Sequence, residues 1–311
     1  MKFRRMFIVA VALLTSLSGQ DKPETTFKVD VKLVNVFVTV TDQQGAPIGN
    51  LGKNDFSLSE DGVPQKIAVF SKESQLPLSI VLAIDTSSST RKDIRLELEA
   101  ARRFIHSMIR PQDSVSLYTF ATNVSEMTPF TAKLHQVDSA INEVRVGGAT
   151  SLYDAIYLGA KALINRQGRK VMVLITDGGD TASSIDYKEA LRAAQQSEAL
   201  VYSLIDVPVE ASAGRNTGGE HALIQISSDT GGKYYYAANV GQLDRAFEQI
   251  SDELRTQYLL AYYPVTRRAA SDFREIDVTA HPHEAAEAQG SDAGEKLVVR
   301  ARRGYYTSKL E

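Results

Sequence analysis

Cysteine is absent from this 311-residue chain, and only five histidines occur in it. The first absence excludes disulfides, a thiol nucleophile and the lipid-bearing cysteine of bacterial lipoproteins, so stability must come from a buried core. The second leaves little from which to build a zinc or copper site, since those ions draw on imidazole and thiolate. His281 and His283 alone are close in sequence, and with no third ligand of matching spacing they read as part of a solvated loop. A basic excess is also missing: 35 lysines and arginines against 38 acidic residues leave a formal charge of -3, which argues against a nucleic-acid partner. The densest basic run, Arg300-Ala301-Arg302-Arg303, reads as a solvated strand end. No nucleophile elbow, phosphate-binding glycine loop or dinucleotide fingerprint is present.

The N-terminus carries Lys2, Arg4 and Arg5, then the apolar run Met6 to Leu14, then the small residues Thr15, Ser16, Ser18 and Gly19. This is the grammar of a signal peptide over residues 1–19. An uncleaved anchor is the competing reading, but the run is shorter than the roughly 20 residues a spanning helix needs. No later apolar segment reaches that length. The expectation is an exported chain, periplasmic or secreted, with no stable membrane span once mature.

A chain of this length accommodates about two domains. Thr26 to Thr41 alternates apolar and polar residues with a one-residue shift of frame at Val34, the signature of a long half-buried strand with a bulge or bend. Gln43-Gln44-Gly45 reads as a turn, and Phe56 to Ser59 with Lys66 to Phe70 reads as a hairpin around Glu60-Asp61-Gly62. From Leu78 the pattern becomes strand, helix, strand, helix, which implies crossovers and a mainly parallel, doubly wound α/β sheet. Helices are expected at Ile94 to Met108, Leu134 to Val144, Leu152 to Asn165, Tyr187 to Ser197, Ala222 to Ser228 and Val240 to Arg255. Strands are expected at Ser114 to Leu117, Lys170 to Thr176, Leu200 to Ile205 and Lys233 to Tyr236. Beyond Arg255 strands return at Gln257 to Tyr263, Phe273 to Thr279 and Leu297 to Ala301, with a loop over His283 to Glu295. The domain reading is therefore a β segment at 24–75, an α/β domain at 76–255 and a second β segment at 256–308. The two β segments are expected to pack as one sandwich-like unit into which the α/β domain is inserted.

Three pieces of the α/β region carry chemistry. Asp85-Thr86-Ser87-Ser88-Ser89 follows an apolar strand and precedes a helix, placing one carboxylate and two hydroxyls on one turn. Gly147-Gly148-Ala149-Thr150-Ser151 and Thr176-Asp177-Gly178-Gly179 lie where a parallel sheet brings loops to the same edge. Asp85, Ser87, Ser89, Thr150 and Asp177 are five hard oxygen donors, a set that suits magnesium first and calcium or manganese next. The first turn alone could be a serine-rich helix cap, but three separated segments agree. Asp180, three residues past Asp177, could act as a general base or simply close a turn.

The triplet Asp85-x-Ser87-x-Ser89 with Thr150 and Asp177 resembles the metal-ion-dependent adhesion site of von Willebrand factor A domains, and the resemblance runs from about Pro77 to Arg255. It implies that Ser87, Ser89 and Thr150 reach the ion directly or through water, that Asp85 and Asp177 hold it largely through water, and that a partner's acidic oxygen takes the last position. The flanking cues Asp55-Phe56, Glu60-Asp61-Gly62, Gln257-Tyr258-Leu259-Leu260, Tyr262-Tyr263 and Arg303-Gly304-Tyr305-Tyr306 are similar to those of the von Willebrand factor A-related proteins of Acidobacteria. The expected function is a non-enzymatic module that binds a protein ligand presenting an Asp or Glu carboxylate. A metal-dependent hydrolase in the same crevice and an envelope structural protein with a stabilising metal are the alternatives.

Overall fold

A computed structural model describes residues 33–72, 76–90, 94–206, 217–265, 272–281 and 297–308. The segment read as a signal peptide, the strand expected over residues 26–32, the loop expected over 283–295 and His283 lie outside the described residues. Strand β1 (Val34–Thr41) begins where the frame shifts, and Val34, Val36, Val38 and Val40 all point into a core. After it come β2 (Phe56–Glu60), β3 (Val63–Pro64) and β4 (Ile67–Lys72).

The middle of the chain alternates strands and helices: β5 (Leu78–Asp85), α1 (Ile94–Met108), β6 (Ser114–Phe120), β7 (Val124–Thr131), α2 (Leu134–Glu143), α3 (Leu152–Ile164), β8 (Arg169–Thr176), α4 (Tyr187–Ser197), β9 (Leu200–Ile205), α5 (Thr217–Thr230), β10 (Lys233–Tyr236) and α6 (Val240–Thr256). These strands form one sheet in the order β10-β9-β8-β5-β6-β7. All pairs are parallel except β6 with β7. Every residue of β5 is buried, because α1, α2 and α6 pack on one face of the sheet and α3, α4 and α5 on the other. A strand covered on both faces reads as a continuous apolar run, as Leu78 to Ile84 does.

The last strands are β11 (Tyr258–Tyr262), β12 (Phe273–Ala280), β13 (Val298–Ala301) and β14 (Gly304–Tyr306). They interleave with the first four in two antiparallel sheets, β13-β1-β11-β4 and β14-β12-β2-β3. Side chains from both sheets meet in one core around Val36, Phe56, Leu58, Tyr258, Leu260 and Ile276. The chain leaves this sandwich at Lys72 and returns at Tyr258, and these two residues are partners in the β4–β11 ladder. The α/β unit is thus inserted between two adjacent, hydrogen-bonded strands.

Four expectations require correction. The hairpin expected from Phe56–Ser59 and Lys66–Phe70 does not form: β2 pairs with β3 and β12, whereas β4 pairs with β11 in the other sheet. The short β3 completes the tight turn at Asp61-Gly62, and the chain then passes to the other sheet. Strand β7 was not anticipated because Pro129 interrupts it, a residue tolerated there because the strand lies at an edge. Helix α5 starts earlier than its apolar spacing suggests, since Gly218 and Gly219, poor helix formers, occupy its first turn.

The fourth correction concerns the basic run, which is not simply solvated. Arg300 meets the buried Glu253 at 2.6 Å and donates to Gly232 O at 2.9 Å. Arg302 donates to Asn35 O at 2.7 Å and lies 3.3 Å from Glu198. Glu253 also accepts from the hydroxyls of Tyr202 and Tyr235. Arg303, though largely exposed, lies 3.6 Å from Asp229 of α5 and donates its backbone N–H to Asp229 O at 2.9 Å, so all three arginines join the sandwich to the inserted unit.

Within the sandwich, Glu60 is fully buried and accepts from Arg274 and from the hydroxyls of Tyr262 at 2.6 Å and Tyr305 at 2.9 Å. This cluster ties strands from the two ends of the chain. Arg274→Met would strand the Glu60 charge, so unfolding free energy is expected to fall by about 3–5 kcal/mol. Urea denaturation of the variant checks this; an unchanged midpoint would show that the pair does not hold the two β segments together.

Candidate metal centre

Neighbouring strands at the middle of the large sheet assemble the first pieces. The parallel register Ile84↔Ile175 sets Asp85 beside Thr176, and Thr176 Oγ1 donates to Asp85 Oδ2 at 2.7 Å. Strand order reverses here, because the chain runs outward from β5 to β6 and β7 and later returns to β8 on the other side of β5. Such a reversal opens a crevice at the carboxyl ends of the strands, where open α/β sheets bind ligands.

Asp85 has no solvent exposure. Its Oδ1 accepts the Ser87 N–H at 2.9 Å, which curls the chain into the turn that carries the two serines. Burial pushes the Asp85 carboxyl from its usual 3.8 up to about 6; hydrogen bonds from Ser87 and Thr176 oppose this, and the negative charge of Asp177 adds to it. No lysine or arginine offsets that charge among the described residues. Ser87 Oγ and Ser89 Oγ stand 2.9 Å apart, the first buried and the second exposed. Thr90 Oγ1 donates to Asp85 O at 3.2 Å and to Ser87 O at 3.1 Å, closing the turn from beneath.

The second loop is fastened to the first by three bonds: Gly147 N to Thr86 O at 2.8 Å, Ser88 N to Gly148 O at 3.1 Å, and Gly148 N to Ser88 Oγ at 3.1 Å. Thr150, which is buried, is then fastened to the third loop. Its N–H donates to Thr181 Oγ1 at 3.0 Å, and its carbonyl accepts from Thr181 N at 2.8 Å and Ala182 N at 3.0 Å. The Thr150 backbone is thereby committed, while its hydroxyl makes no hydrogen bond among the described residues. In the third loop Asp177 is half-buried, and among the described residues only its Oδ1 is used, accepting from Gly179 N at 3.0 Å. Gly178, at φ +86°, packs against the first turn of α5 so closely that a Cβ would sit 3.3 Å from Glu220 N.

All five sequence-derived residues thus lie on three loops that hydrogen bonds join to one another. Sequence reasoning missed Thr176, Thr90 and Thr181, which orient the set. A threonine directly before Asp177 was visible, but only the strand register makes it a partner of Asp85. Asp180 is committed elsewhere: its Oδ1 accepts from Leu152 N at 2.8 Å, Tyr153 N at 3.3 Å and the Ser183 hydroxyl. It caps α3 from outside that helix.

No cluster of three histidine, cysteine, aspartate or glutamate side chains is placed to hold a metal among the described residues. An ion here would depend on hydroxyls as much as on carboxylates. The donors fit a hard cation on two counts: every one is oxygen, and the buried Asp85 carboxyl has no positive neighbour among the described residues, a situation that disfavours its charge unless a cation is close.

Residues 79–249, more than half of the chain, match the family model of the von Willebrand factor type A domain. Among solved structures, a von Willebrand factor type A protein from Catenulispora acidiphila is 11% identical, with a TM-score of 0.52 over 80% of this chain and 75% of that one. The PilB minor pilin from Streptococcus sanguinis is 14% identical, with a TM-score of 0.47 over 59% of this chain. This chain covers 62% of that pilin, less than two thirds of its length. The von Willebrand factor domain of a type V pili tip protein from Porphyromonas gingivalis is 12% identical, with a TM-score of 0.48 over 64% of this chain and 99% of that one. At such identities the likeness is one of fold. No curated protein matches the chain.

Because Asp180 serves the α3 N-terminus, Asp180→Ala is expected to lower stability by about 1–2 kcal/mol, the usual loss for a helix cap. Chemical denaturation measures it, and Asp180→Asn, which keeps an acceptor oxygen, should recover most of the loss.

Proposed function

Because this chain belongs to the von Willebrand factor type A domain family, we propose that it is an exported, non-enzymatic protein-binding module of the adhesion or assembly kind, working through a divalent cation. The observation that carries this reading is Asp85: a buried carboxyl with no basic partner among the described residues, next to paired serine hydroxyls. Ser87, Ser89 and Thr150 would hold magnesium through neutral oxygens, and Asp85 and Asp177 would hold it largely through water. Calcium or manganese would suit the same donors. When bound, the ion would supply a positively charged coordination position for an Asp or Glu carboxylate on a partner protein. Neutral hydroxyls suit that task because they leave most of the ionic charge unbalanced; direct binding by both carboxylates would weaken the pull on an incoming anion.

The residues around the donors have separate tasks. Thr176 and the Ser87 N–H keep the Asp85 carboxyl in one orientation. Exposed Ser88 and Ser89 form the rim a partner would touch. A hydrolase in the same crevice would need a free base, and Asp180, the candidate its place after Asp177 offers, is engaged through Oδ1 as a cap. Export rests on the basic, apolar and small-residue succession at residues 1–19, which also places the partner in the periplasm or outside the cell. No helix among the described residues is long and apolar enough to cross a membrane. The flanking sandwich cues, Gln257-Tyr258-Leu259-Leu260 among them, support kinship with the Acidobacteria proteins.

A chelator or Asp85→Ala is expected to abolish capture of the partner from an extract of the source organism, with the circular dichroism spectrum retained. Capture that persists in excess chelator would reject the cation as the link. If melting depends on magnesium but no capture does, the ion is structural. Thr150→Ala should raise the magnesium midpoint by roughly tenfold or more. Ser151→Ala should raise it less, since Ser151 Oγ is turned away to Thr122 O at 2.9 Å; equal midpoints would reject Thr150 as the ligand.

A further inference from the structure

Among the described residues no side chain of the turn between β6 and β7 hydrogen-bonds any of the five candidate donors, yet the turn grips the loop that carries one of them. Ala121 O accepts from Ser151 N at 2.8 Å, and Thr122 O accepts from Ser151 Oγ at 2.9 Å. On the other side of Thr150, Ala149 N donates to Thr122 Oγ1 at 3.0 Å. Both neighbours of Thr150 are therefore pinned to one residue, and the Thr150 hydroxyl is left without a hydrogen bond among the described residues. The contact is close by construction: a Cβ on Gly148, at φ +95°, would fall 2.5 Å from Thr122 Oγ1. The same strand end also reaches the first loop, since Thr86 N donates to Phe120 O at 2.8 Å.

We infer that Thr122 is a positioning residue for magnesium binding, its hydroxyl and carbonyl clamping Ala149 and Ser151 so that the Thr150 hydroxyl is presented ready-made to the ion. This rests on the metal reading above. The physical case is one of preorganisation. Gly147 and Gly148 make the loop conformationally permissive, and a loop that wanders lowers the fraction of molecules competent to bind. Apparent affinity falls in proportion to that fraction. Thr122 is exposed, so water competes for its bonds and the effect is that of one ordinary neutral hydrogen bond.

Isothermal titration of the full chain with magnesium chloride tests this on the unsubstituted protein, Thr122→Val, Thr122→Ser and, as a control, Asp85→Ala. The expected result is a midpoint raised about fivefold in Thr122→Val, restored to within about twofold in Thr122→Ser, with the same melting temperature for all the metal-free Thr122 variants. Thr122→Val matching the unsubstituted chain, or Thr122→Ser failing to restore it, would overturn the clamp while leaving the metal reading intact. A midpoint change that merely tracked metal-free melting would also overturn it, because the role would then be structural. Should Thr122→Val fold poorly, Ser151→Ala removes the bond to Thr122 O and must itself raise the midpoint measurably. No saturable magnesium binding by the unsubstituted chain would overturn the metal reading and the clamp together.

Discussion

A carboxyl group cut off from water has to be satisfied from within, and the carboxyl edge of the large sheet is organised around that demand at Asp85. Its two oxygens are met by a backbone N–H from its own turn and by a threonine from the neighbouring strand. Neither partner carries charge, and burial raises the carboxyl to about 6. The arrangement orients the group without neutralising it. Around this centre the serine turn, the glycine loop and the Asp177 loop are fastened in sequence by backbone groups and by the hydroxyls of Ser88 and Thr181, and the Thr150 hydroxyl is left without a hydrogen bond among the described residues.

The same economy holds at the opposite end of the inserted unit. Its entry and exit strands are ladder neighbours, Lys72 facing Tyr258, so both connections leave from one place. Polar contacts supplement these two covalent links. The buried pair of Arg300 with Glu253, and the more exposed pair of Arg302 with Glu198, join strand β13 and its flank to the α/β unit, while Arg302 also donates to Asn35 O within the sandwich. A buried ion pair adds little net stability compared with an apolar contact of the same volume, but it tolerates few alternative arrangements. Contacts of this kind hold one fixed seating of the insert on the sandwich.

Much of the fold was legible because its signals are local. Continuous apolar runs marked β5 and β8, and helical spacing marked α1, α4 and α6. Period-two alternation beginning at Val34 marked the inward face of β1. The failures share a cause: each depended on a partner distant in the chain. Phe56 to Ser59 and Ile67 to Phe70 are both good strands, and nothing within them says that one pairs with β12 and the other with β11. Arg300 and Arg302 look solvated until Glu253 and Glu198, more than forty residues earlier in the chain, are brought beneath them. Glycines at the start of α5 concealed a helix turn that packing against the Asp177 loop sustains.

For the candidate site, the residue types and their order were set by the amino-acid sequence alone: hard oxygens, no soft donors, on three loops following apolar strands or a glycine pair. Those properties are chemical and local, and they determine which class of ion the loops suit. Tertiary structure decided which oxygens are free to act. Register between β5 and β8 set Thr176 against Asp85, capping of α3 occupied Asp180, and the β6–β7 turn took hold of both neighbours of Thr150. Hydrogen bonds between loops far apart in the chain are a matter of strand order and register, which no single segment encodes.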